Sequence, residues 1–137
     1  MLYLGIDAAD AGLDCCAVQH LPDQAEQHPK AVSGQVRGAD HLLGWLRQNW
    51  PAMAFSKMHV TLSGEARANE ALELALRVVG VRVARVDQQK ARLFARTVLG
   101  IRCQRERIDS HVLALYGLHT QAWRAALSMP ASAPLAA

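Results

Sequence analysis

Four carboxylates stand where they can act together. Asp7 closes a short apolar run, Leu2 to Ile6, and Glu65 lies just beyond a second, Met58 to Leu62. Glu106 and Asp109 are three apart at the start of a helical stretch, hence on one face. Like charges gathered in this way raise one another's pKa and are unfavourable without cations. Together they would cage two Mg²⁺ or Mn²⁺ ions, which activate a water or hydroxyl and stabilise the leaving oxygen at a phosphodiester. Singly they have plainer roles: Asp7 a turn residue, Glu65 a helix-entry charge, Glu106 with Asp109 a first-turn pair complementing the helix dipole. The residues alone leave both readings open.

The charge distribution supplies a partner for such a site. The net charge of +3 hides an uneven chain. Residues 1–76 carry 5 basic and 9 acidic side chains, a net of −4. Residues 77–107 carry Arg77, Arg82, Arg85, Lys90, Arg92, Arg96, Arg102, Arg105 and Arg107 against Asp87 and Glu106, a net of +7. A block this dense, nearly all arginine, suits a polyanion, because guanidinium forks fit phosphates bidentately. Charge alone leaves equal room for a solvated face on a helix pair.

These residues need elements to position them. Leu2–Ile6 and Leu13–Val18 read as a hairpin across a turn from Ala8 to Gly12, and Ala31–Val36 as a third strand. Asp40 is a candidate N-cap for a helix through Leu42, Leu43, Trp45 and Leu46 that stops at Trp50-Pro51. Met58–Leu62 reads as a buried strand, Ala68–Val79 as a helix capped by Gly80, and Val81, Val83 and Val86 as another strand. Asp87 caps a helix from Gln88 to Leu99, and a last helix runs from Glu106 to about Ala126, with Ile108, Val112, Leu115 and Leu118 at helical spacing. The order β-β-β-α-β-α-β-α-α suggests an α/β RNase H-like fold, although a generic α/β sandwich reads much the same. In the RNase H-like case three antiparallel strands come first in a mixed five-stranded sheet with helices on both faces.

Composition narrows the class. A chain of 137 residues, 51% hydrophobic and 20% charged, is enough for one self-sufficient core. Residues 1–127 are expected to form it, and residues 128–137 (SMPASAPLAA) to be a disordered tail or a severed linker. The three cysteines, Cys15, Cys16 and Cys103, have neither ligand spacing nor an even count, and no apolar run is long enough for a membrane span. A cytoplasmic protein is expected. The six histidines are scattered singly, which argues against zinc. With 3 Trp, 2 Tyr and 2 Phe, and with Trp45 and Phe94 at core-type positions, a stacking platform for single strands is not expected.

Several segments resemble a known family: Leu4-Gly5-Ile6-Asp7, Gly38-Ala39-Asp40 through Leu46, Ala71 through Gly80, Val86 through Arg96 (VDQQKARLFAR), and Arg105 through Tyr116 (RERIDSHVLALY). Together they look like the N-terminal domain of the DEDD transposases of insertion sequence family 110, which include the Piv-type DNA invertases. The resemblance covers residues 2 to about 124, and its last two segments are the specific ones. It implies an RNase H-like fold similar to the Holliday-junction resolvase RuvC, and a tetrad of acids that binds Mg²⁺ or Mn²⁺. In full-length members a second domain with a catalytic serine follows, and some members are guided by a structured RNA. Asp7 and Asp109 match the tetrad, and its third acid, usually Asp, falls on Glu106. The family's Glu falls on Ser63, with Glu65 two residues on, on the same face if the strand continues.

The resemblance thus implies a nucleic-acid-binding RNase H-like domain of DNA transposition or recombination, a stand-alone or truncated relative with a degenerate metal site. Its partners would be DNA and structured RNA, contacted through Arg85, Lys90, Arg92, Arg96, Arg102, Arg105 and Arg107. Two other expectations stand beside it. One is an active Mg²⁺-dependent nuclease or recombinase half in which Asp7, Glu65, Glu106 and Asp109 are catalytic. The other is a module that forms a homodimer, or docks on a full-length transposase, through Ile108, Val112 and Leu115.

Overall fold

The computed structural model describes residues 1–9, 12–19, 31–63, 66–100 and 110–120. Five strands, β1 (Leu2–Ala9), β2 (Gly12–Gln19), β3 (Ala31–Val36), β4 (Met58–Ser63) and β5 (Arg82–Arg85), form one sheet in the order β3-β2-β1-β4-β5. β1, β2 and β3 are mutually antiparallel, whereas β4 runs parallel to β1 and β5 parallel to β4. This is the mixed sheet, three antiparallel strands first, that the order of elements predicts. Its central strands β1 and β4 are buried on both sides, apolar on one face and carrying Asp7, His59, Thr61 and Ser63 on the other.

One face carries Leu2, Leu4 and Ile6 of β1 beside Met58, Val60 and Leu62 of β4, all at most 1% exposed. Helices α1 (Ala39–Asn49) and α2 (Ala66–Val78) cover it through Leu42, Leu46, Leu72 and Leu76. On the other face lies α4, the helical residues 110–120, against which α3 (Gln88–Thr97) packs Ala91 and Ala95 onto Val112 and Leu113. The molecule therefore has three layers. Among the described residues no helix is long and apolar enough to cross a membrane.

Local signals explain the helix ends. Asp87 caps α3, its carboxylate accepting the Gln89 amide at 2.7 Å. Past α2, the Gly80 amide bonds the Arg77 carbonyl and the Val81 amide the Leu76 carbonyl, a Schellman closure around a glycine at φ +98°. Trp50, held out of the helical region by Pro51, ends α1. Asp40, expected as the N-cap of α1, is instead inside its first turn. Gly38 is the cap, extended at φ −176°, and the imidazole of His41 accepts the Arg37 amide at 3.1 Å in place of a carboxylate. Asp40 still favours this end, through the helix dipole.

Two glycines set how closely α4 approaches the sheet. A Cβ on Gly5 would overlap the Ser110 carbonyl oxygen and lie 2.5 Å from the Ala114 amide nitrogen. A Cβ on Gly117 would lie 2.6 Å from Thr61 Oγ1 and 3.3 Å from His59 Nδ1. Backbone thus rests on backbone at β1, and helix backbone on the polar side chains of β4.

Candidate acidic site and basic surface

Asp7 lies near the C-terminal end of β1, where it pairs with Asp14 of β2 on one side and Ser63 of β4 on the other. Cross-strand partners share a face, so Asp14, Asp7 and Ser63 form one row on the face that α4 covers. Asp7 is 6% exposed and Ser63 1%, and Asp14 is partly exposed. The polar line continues down β4 with Thr61 and His59, both buried. The hydroxyls of Ser63 and Thr61 have no hydrogen-bond partner among the described residues. An apolar residue would be cheaper at either position, so a buried hydroxyl without a partner is a cost that the fold carries here.

Of the expected acids, the structure places Asp7. Glu65, Glu106 and Asp109 lie outside the described residues, as do Arg102, Arg105, Arg107, Cys103 and the 128–137 tail. Ser63, the position where the resemblance puts the family's Glu, is the last residue of β4. Asp109 precedes Ser110 in the chain, and the Ser110 carbonyl touches the Gly5 position, two residues before Asp7. Among the described residues no group of three or more His, Cys, Asp or Glu side chains has metal-ligating geometry. Asp14 is the acid of this row that sequence reasoning missed. The signal for it was the hairpin register, since each β1–β2 pair is symmetric about the junction of positions 10 and 11.

The basic residues divide. Arg85, expected as a phosphate contact, is ion-paired with Glu73 of α2 at 2.5 Å, and Arg77 binds the other oxygen of the same carboxylate at 2.9 Å. Arg77 also donates to the Val83 carbonyl at 3.0 Å. The Arg77 hydrogen bond, opposed by desolvation and reinforced by Arg85, holds the Glu73 carboxyl below its ordinary value. Arg85 is thereby engaged on the α2 side of the sheet. Lys90 and Arg96 of α3 are exposed and make no ion pair among the described residues. Arg92, one turn before Arg96, is half-buried, with its Nε enclosed and unpartnered among those residues. Beside the buried Ala91–Ala95 stripe, α3 therefore presents cations that are unpaired among the described residues, on the layer that holds α4.

Three residues are expected to make a docking face. Val112 is 3% exposed against α3, Leu115 is half-buried, and Ile108 lies outside the described residues. Phe94 packs edge-on against Tyr116, 5.3 Å between ring centres, and Trp45 against Trp50 at 5.5 Å, so both serve packing. Cys15 and Cys16 are buried, and burial, with help from the Asp14 charge, pushes the Cys15 thiol up to about 12.

No family model matches the chain, and no curated protein matches it. Among solved structures it is similar to that of RuvC from Thermus thermophilus, with 19% identity and a TM-score of 0.46 over 93% of this chain and 97% of that one.

Proposed function

We propose that this chain is a nucleic-acid-binding RNase H-like domain, related to the DEDD transposases and working in DNA recombination or transposition in the cytoplasm. The observation that carries the reading is the buried carboxylate of Asp7 at the C-terminal end of the central strand, on the same face as α4 and its basic neighbour α3. Lys90, Arg92 and Arg96 would track the phosphates, joined by Arg102, Arg105 and Arg107 of the adjoining segment. Arg85 contributes less, because Glu73 already holds it.

The donor chemistry fits a hard divalent cation. The Asp7 carboxylate and the unpartnered Ser63 hydroxyl are both oxygen donors, the type that Mg²⁺ and Mn²⁺ prefer. Asp7 would hold the ion together with Glu106, Asp109 and Glu65. When bound, such an ion polarises a phosphodiester and lowers the pKa of its water. The chain's own part is to bring the backbone to that end by charge and to hold the Asp7 carboxylate, 6% exposed, on the face of the sheet that carries α4. Ser63 in place of the family's Glu removes one anionic donor, so this reading has binding as the main activity and hydrolysis as weak.

The test is fluorescence anisotropy on duplex DNA, a four-way junction and a structured RNA across a salt series. If four of these six side chains contact phosphates, log K falls with log salt at a slope of about −3.6, and Arg96→Ala makes it shallower by about 0.9. Absence of binding to all three at low salt refutes the proposal.

A further inference from the structure

We infer that Asp14 is a metal ligand: with Asp7 it holds one divalent cation of the oxygen-seeking class, Mg²⁺ or Mn²⁺, and the Ser63 hydroxyl receives one of that cation's waters. This deepens the nucleic-acid reading and rests on it only for its purpose, since a cation here meets an incoming phosphate. The placement stands on the register alone.

Asp7 and Asp14 are directly opposed in an antiparallel pair. Opposed residues have Cβ atoms about 4.5–5.5 Å apart, a span one ion bridges between two carboxylates. One of the two is 6% exposed, so a cation held between them lies where water screens its attraction little.

Ser63 is the second, independent observation. It is 1% exposed, stands beside Asp7 in the same row, and has a hydroxyl with no hydrogen-bond partner among the described residues. It lies one strand further from Asp14, about 4.8 Å on, so the two cannot share one ion directly. It can bond a water of the ion's shell. Mg²⁺ keeps several waters and takes one or two carboxylates, the composition of this row. Where the resemblance has an acid on β4, this chain has a hydroxyl, and the second carboxylate comes from the strand on the other side of Asp7.

Calorimetry with Mn²⁺ on the full chain, paired with thermal melts in chelator, tests the assignment. Asp14→Asn and Asp7→Asn should each weaken Mn²⁺ by about tenfold or more, and Ser63→Ala by less. Mn²⁺ should raise the wild-type Tm above its value in chelator, and Asp14→Asn should lose most of that gain. A loss confined to the metal-dependent part of the melt distinguishes a ligand from a structural residue, and a cooperative melt shows that each variant is folded. Wild-type protein that binds no Mn²⁺, or Asp14→Asn that binds it as the wild type does, overturns the inference. In either case junction binding by anisotropy still decides the nucleic-acid reading separately, and loss of that binding with Mn²⁺ affinity intact refutes only that reading.

Discussion

Gly5→Ala should be among the most damaging single-methyl changes in this protein. The new Cβ overlaps the Ser110 carbonyl oxygen and sits 2.5 Å from the Ala114 nitrogen and 2.7 Å from the Leu113 Cβ. Two of these three are backbone atoms, which no rotamer change moves, so α4 must retreat by about 1 Å. Overpacking of this kind costs about 1–3 kcal/mol, and the rigidity of the obstacle puts this case near the upper end. A chain of 137 residues unfolds with an entropy of about 0.29 kcal/mol/K, so 3 kcal/mol lowers Tm by about 10 °C. Gly to Ala at an unstrained position instead stabilises by about 0.4–1 kcal/mol, so the sign is diagnostic. The assay is thermal unfolding followed by circular dichroism, with Gly117→Ala as comparison. There the obstacles are the Thr61 hydroxyl and the His59 ring, and adding Thr61→Ala should recover part of the loss. A Gly5→Ala melt within about 2 °C of wild type would refute the close approach of α4 to β1.

Two further outcomes follow from the elements around the site. Asp87→Ala removes the cap of α3 and should cost about 1 kcal/mol in a denaturant titration, with Asp87→Asn nearly neutral. Because its carboxyl is held below the ordinary 4.5, Glu73 contributes stability that is present above that pH and lost as pH falls through the folded value. Glu73→Gln should therefore flatten the acid side of a stability–pH profile and leave Arg85 and Arg77 free, with tighter nucleic-acid binding at low salt.

Much of the fold could be read in the chain because local signals agree with the global arrangement. The apolar runs at Leu2 and Met58, the Asp87 cap and the glycine after α2 each settle an element with residues a few positions apart. What could not be read depends on register or on distant partners. A turn spanning Ala8 to Gly12 centres on Asp10 and would set Leu13 opposite Asp7. The observed pairing, shifted by one, sets Asp14 there instead. A one-residue slip exchanges the faces of a strand, so no pattern within β2 reveals that Asp14 joins Asp7. The ion pair of Arg85 was hidden for a related reason: its partner Glu73 is twelve residues away on another element, and charge density along the chain does not show which cations are already paired. The N-cap of α1 fell on Gly38 because an extended glycine and the His41 ring together do what Asp40 promised.

The contact between α4 and β1 also bears on the order in which the molecule acquires its chemistry. The strands of the hairpin pair over short loops, but the helix that rests on Gly5, two residues before Asp7, comes more than a hundred residues later in the chain. Closing so long a loop is slow and comes after local structure has formed. During synthesis the sheet can assemble while this face is still open, and it is covered only once residue 114 and its neighbours have left the ribosome. A chain interrupted before that point would hold the sheet without the layer that packs on Gly5 and Thr61.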